Sequence, residues 1–110
     1  MDLGFTISIE TDKDEKDLVE LICSECGGAK KDRGYIKFMG NILKFDKNFD
    51  YDSSKVNEVN GWQYYKYELD GSPCEDSTVD NQKLLISTLC QCLSKVGAQT
   101  KSFSEFDSDE

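Results

Sequence analysis

YIKFMGNILKF, residues 35–45, contains its own turn and its own two faces, and the rest of the chain is placed against it. Gly40-Asn41 between two apolar runs is a two-residue hairpin signal, with glycine first supplying the positive φ such a turn needs. Pairing about that turn sets Met39 opposite Ile42, Phe38 opposite Leu43, Lys37 opposite Lys44 and Ile36 opposite Phe45. Ile36, Phe38, Leu43 and Phe45 then share one face, which predicts a sheet with one buried side. On the other face the directly opposed Lys37 and Lys44 repel unless a carboxylate intervenes, from Glu68 or from the segment Asp46 to Asp52. That outer face is therefore a candidate contact surface.

Working outward, Phe5 to Glu10 alternates as a half-buried strand, with Phe5, Ile7 and Ile9 on one side. Thr11 with Asp14 reads as a helix start resembling a capping box. Leu18, Val19, Ile22, Cys23 and Cys26 recur at helical spacing up to the Gly27-Gly28 stop. Ala29 to Arg33 reads as a short basic connector, and the polar stretch after Phe45 as a long acidic loop with Phe49 and Tyr51 embedded. Gly61 to Leu69 has the aromatic content and alternation of a strand, ended by Asp70-Gly71-Ser72-Pro73. Asp76, Ser77 or Thr78 caps a second helix with Leu85, Ile86, Leu89, Cys92, Leu93 and Val96 on its apolar face, closed by Gly97. A last strand is expected within Thr100 to Phe106. The resulting order is βαβββαβ, an α+β fold of ferredoxin-like type. Its antiparallel or mixed sheet has four to five strands, with two helices on one face. The expected organisation is a single domain over 1–106 and a frayed acidic tail over 107–110.

At 110 residues the chain fits one domain able to bury roughly two thirds of its unfolded surface. The balance of 22 Asp+Glu against 13 Lys+Arg, a formal charge of -9, repels nucleic-acid backbones and anionic membrane surfaces, so neither is an expected partner. The first residues lack a basic segment and a long apolar run, and no stretch has the length of a membrane span. Five cysteines without an export signal point to reduced thiols in the cytoplasm.

Histidine is absent, which removes Ser/His and Cys/His nucleophile pairs and the commonest metal ligand together. Cys23-Ser-Glu-Cys26 has CxxC spacing, yet both cysteines belong to a helical apolar stripe. Packing is the stronger reading than redox chemistry or zinc. Cys90 and Cys92 point to different sides of their helix and read as packing residues. Asp50, Asp52 and Glu58 come closest to a carboxylate site without the spacing of a calcium loop. No phosphate loop is present. The expectation is a protein without enzymatic activity, cofactor or metal.

Laid on this topology, Glu10, Asp12, Asp14, Glu15, Asp70, Glu75, Asp76, Asp80, Glu105, Asp107, Asp109 and Glu110 gather at one end. Lys30, Lys31, Arg33, Lys47, Lys55, Lys95 and Lys101 gather at the other. Both helix N-termini lie at the acidic end on this reading, which accounts for part of the cluster. Asp70, Glu75 and the tail are left for a cationic partner, with Tyr51, Trp62 and Tyr64 as aromatic anchors. In size, charge and architecture the chain resembles the bacterial immunity proteins that neutralise polymorphic or contact-dependent growth-inhibition toxins. That resemblance implies tight binding to a cognate toxin domain, commonly a basic nuclease, by occlusion of its substrate groove. Asp50, Tyr51, Asp52, Glu58, Trp62, Tyr64, Asp70, Glu75 and Asp76 are the candidate contact residues. Three alternatives stay open: a nucleic-acid mimic with regularly spaced carboxylates, a regulatory domain with a concave apolar pocket, and a thiol enzyme using Cys23 and Cys26.

Overall fold

The computed structural model describes residues 2–107. Of the tail expected over 107–110, residues 108–110 lie outside that range. Two helices accompany one six-stranded, fully antiparallel sheet. In chain order the elements are β1 (Phe5–Glu10), α1 (Glu15–Glu25), β2 (Lys30–Asp32), β3 (Tyr35–Phe38), β4 (Asn41–Lys47), β5 (Tyr67–Pro73), α2 (Val79–Ser94) and β6 (Gln99–Ser104). The strands lie in the order β2-β3-β4-β5-β1-β6.

The α+β class stands, and the expected strand count and order are corrected. The basic connector is itself a strand, β2, so the order is βαββββαβ. It joins the sheet through a two-residue turn, Arg33-Gly34, in which both residues have positive φ (49° and 91°). This is the backbone of the mirror-image turns whose twist matches antiparallel strands. Arginine in the left-handed region is strained, and asparagine tolerates that conformation better. Arg33→Asn is expected to stabilise the fold by about 0.5 kcal/mol, read as a shift in the urea midpoint.

The hairpin of residues 35–45 turns one residue earlier than expected, at Met39-Gly40, where φ is 51° and 73°. Its pairs are Ile36 with Leu43, Lys37 with Ile42 and Phe38 with Asn41. The slip from the expected pairing is two residues, and because side chains alternate with period two, every residue keeps its face. Ile36, Phe38, Leu43 and Phe45 are all buried as predicted. The opposition of Lys37 and Lys44 disappears. Lys44 lies opposite Asp70, and Lys37 lies between Ile42 and Lys30 with Asp32 3.9 Å from its Nζ.

The reason for the early turn is Asn41. It begins β4 fully buried and exchanges two 2.9 Å hydrogen bonds with the amide of Gln82 on α2, which is equally buried. Asn41 also donates to the Met39 carbonyl, and Gln82 donates to the Leu3 carbonyl. Ser77 and Asn81 donate to the Gln82 oxygen. The cluster thus ties the β3–β4 turn, the start of α2 and the N-terminal segment into one unit. It serves as the polar pin of a core otherwise built from Ile7, Ile9, Leu18, Ile22, Leu43, Leu69, Leu85, Leu89 and Leu93.

Both helices begin at side-chain caps. Asp14 accepts from the Asp17 amide and Thr78 from the Asn81 amide. Thr11 lies before the first helix, buried, with its hydroxyl accepting from the Lys13 amide. The two helix starts lie at opposite ends of the sheet. α1 follows the exit of β1, whereas α2 begins beside the Met39-Gly40 turn, where parallel-running β4 enters. The expected gathering of acids at one end is therefore corrected. Glu10, Asp12, Asp14 and Glu15 lie at one end, and Glu75, Asp76 and Asp80 lie at the other. Among the described residues no helix is long and apolar enough to cross a membrane.

Candidate functional site

The helices cover one face of the sheet, and the opposite face carries polar side chains. Across it run Asp46 opposite Glu68 opposite Ser8, and Lys44 opposite Asp70 opposite Thr6. The expected strand over 61–69 divides in two, and this division builds the surface. Gly61–Tyr64 forms a turn of 3-10 helix, and β5 starts only at Tyr67. The Asn48 side-chain amide takes the carbonyls of Gln63 and Tyr65 at 2.8 Å each, removing acceptors that a strand ladder would use. Gly61 is buried so tightly that a Cβ there would stand 2.2 Å from the Val56 carbonyl oxygen. The aromatic run consequently leaves the ladder, and Trp62 lies over the outer face with its ring 4.5 Å from that of Phe103 on β6. β5 in turn passes through Asp70-Gly71-Ser72, which had read as a strand breaker. Phe5 occupies the space a Cβ at Gly71 would need.

The segment from Asn48 to Tyr64 is folded back on itself. Tyr51 donates its amide to the Asn48 carbonyl, Asp52 to Tyr64, Lys55 to Asp52, Glu58 to Lys55 and Gly61 to Glu58. Asp52 also accepts from the amide and the hydroxyl of Ser54, and these bonds hold its carboxyl below its ordinary pKa. The Lys55 ammonium lies 5.1 Å from the centre of the Tyr64 ring. On this braced loop Phe49 and Val59 are 101% and 93% exposed. They sit in sequence beside Asp50 and Glu58; the sequence marks Phe49 only as embedded in the acidic loop and gives Val59 no role. A large apolar side chain that contributes nothing to the core is the one available signal.

Of the sequence-predicted residues, Asp50, Tyr51, Asp52, Glu58, Trp62 and Tyr64 fall within this one loop. Asp50 and Trp62 line a shallow groove with Ser8, Asn48, Gln63 and Glu68. Asp70 shares the outer face, accepting a 2.6 Å hydrogen bond from the Thr6 hydroxyl. Glu75 and Asp76 stand apart, exposed at the far end beside the Met39-Gly40 turn. Glu68 and Asp46, which the sequence offers only as carboxylates to separate Lys37 from Lys44 and not as contact residues, join Asp70 on this face. Partial burial raises the Glu68 pKa, and the negative charges of Asp70, Asp46 and Asp50 raise it further. Among the described residues none of these four carboxylates has an ion pair within 4.0 Å.

The cysteines are free. Burial pushes the Cys26 thiol up to about 11, and the neighbouring Cys92 adds to the shift. Such a thiol holds its proton at neutral pH and is a poor nucleophile. Among the described residues no group of three or more cysteines and carboxylates is placed to hold a metal ion. Comparisons with protein-family models, curated proteins and solved structures find no match to this chain.

Proposed function

We propose that the chain is an immunity-type inhibitor that binds a cationic toxin domain through the acidic outer face of its sheet and the Asn48–Tyr64 loop. The observation that carries this reading is the environment of Glu68. It is partly desolvated beside Asp46, Asp50 and Asp70, without an ion pair among the described residues, an arrangement that works against the isolated protein. Like charges held together at a cost to folding are compensated when a surface of opposite sign covers them. The braced loop adds exposed Phe49 and Val59 and the half-buried Trp62, the apolar centre that protein interfaces require. Lysines and arginines of a nucleic-acid-binding groove match this surface, and steering by the net charge speeds capture.

The sign of the Glu68 shift gives a direct test. A carboxyl whose folded pKa lies above its unfolded value loses stability as pH rises through the carboxylate range. Glu68→Gln is therefore expected to raise the melting temperature at pH 7 and to leave it nearly unchanged at pH 3. The same variant should bind the partner more weakly. The experiment is co-expression with a basic toxin domain drawn from the genes flanking this chain's own, followed by copurification and growth rescue, with wild type, Glu68→Gln and Asp50→Lys/Phe49→Ala. Wild-type rescue that fails in the double variant supports the reading. Absence of copurification, or rescue indifferent to these changes, overturns it.

A further inference from the structure

A different surface lies at the opposite edge of the sheet. β2 ends the strand order, so one side of its backbone has no strand neighbour. Natural edge strands of this kind are protected by charge or are used for pairing with another segment. Within a chain of net charge -9, this edge is locally basic, with Lys30, Lys31, Arg33 and Lys37 against Asp32. Behind it, between α1 and the inner face of β3 and β4, lies a cavity of about 160 Å³. Its floor is Val19, Ile36, Leu43 and Phe45, and Lys16 and Lys31 stand on its rim with Glu15.

The volume decides what can enter. Small-molecule sites usually occupy roughly 300–1,000 Å³, whereas a cavity of about 150 Å³ accepts a single benzene-sized group. One side chain fills it, and one side chain alone gives little affinity. An adjoining open strand edge supplies the rest, because main-chain hydrogen bonds bind while pockets for alternate side chains select. We infer that the β2 edge and this cavity form a recognition site for an extended acidic peptide segment that inserts one aromatic side chain. The faces agree with that geometry. Lys31 lies opposite Ile36 on the cavity side, and Lys30 lies opposite Lys37 on the outer side. A strand added to β2 with an aromatic residue facing inward has its neighbouring carboxylates facing Lys30 and Lys37. The site is separate from the acidic face and stands whether or not that face binds a toxin.

The test is a titration of the isotope-labelled full chain, followed by amide NMR, with the capped peptide Asp-Thr-Asp-Phe-Asp-Thr-Asp at up to millimolar concentration. Expected are shifts confined to β2, β3, the Leu43–Phe45 stretch of β4 and the first turns of α1, and an affinity that falls as salt rises. Replacing the peptide phenylalanine with alanine should weaken binding at least about tenfold, close to 1.4 kcal/mol. Val19→Phe, which fills the cavity from within, should do the same. Lys30→Glu/Lys31→Glu alters exposed residues only and tests the charge without risk to folding. Shifts elsewhere, indifference to these changes, or no shift at all overturn the proposal. Phenylacetate binding as tightly as the peptide also overturns it, because the edge would then contribute nothing.

Discussion

Gln82→Leu is expected to cost about 4 kcal/mol of folding stability, more than truncation of most apolar core residues to the next smaller side chain. Leucine is close in volume, so the loss comes from stranded partners rather than from a cavity. Without the Gln82 amide, the Asn41 side chain keeps only its bond to the Met39 carbonyl, and its own oxygen is left buried without a donor. The Leu3 carbonyl loses its donor and the Ser77 hydroxyl loses its acceptor. Each buried group left unpaired costs about 1–3 kcal/mol. Asn41→Leu is milder, about 2 kcal/mol, because Gln82 retains Leu3, Ser77 and Asn81 as partners. The double variant should be less destabilised than the sum of the two singles, since neither amide then strands the other. Urea unfolding of the three variants measures this, and strict additivity would show that the two amides act independently.

Gly71→Ala is the second large effect, expected at about 3 kcal/mol. A Cβ at this position stands 2.2 Å from Cζ and 2.4 Å from Cε1 of Phe5. The ring cannot swing aside, because Phe5 is 5% exposed and packed within the core. One methyl group therefore forces either the ring or the β1–β5 pairing to shift. Phe5→Leu in the same chain removes the colliding atoms and should recover part of the loss. A partial rescue in calorimetry identifies the ring contact as the cause, and no rescue would place the strain in the strand backbone instead.

These two sites also show what the amino-acid order could reveal. The period-two and helical patterns placed β1, the existence and apolar faces of both helices and the buried face of β3 and β4, because each depends on local alternation alone, whereas α1 starts at the Asp14 cap and not at Thr11, and α2 ends at Ser94, before Val96. Gln82 falls three residues before Leu85, on the apolar stripe of α2, but a polar residue there gives no hint of a partner 41 residues away. Gly71 reads as a breaker because its local preference is for turns. Its role in the strand depends on Phe5, which is distant in the chain. β2 was hidden by its brevity and its lysines. The split of the aromatic run at Tyr64–Tyr67 depends on Asn48 reaching carbonyls 15 and 17 residues later. Acidic residues suited to a contact were visible as a loop cluster. Their alignment with Asp46, Glu68 and Asp70 required the register of β4 and β5, and Glu75 and Asp76 were separated from them by the opposed directions of those chain ends.

The position of the Met39-Gly40 turn has a kinetic consequence. A hairpin slipped by two residues buries the same four apolar side chains, so hydrophobic collapse alone does not separate it from the native pairing. Only the native pairing delivers Asn41 to Gln82, which makes that amide pair a late proofreader of register. Wild type should refold in a single phase. Chains carrying leucine at both positions should show a slow second phase as misaligned hairpins reopen, even where most of the equilibrium stability is retained.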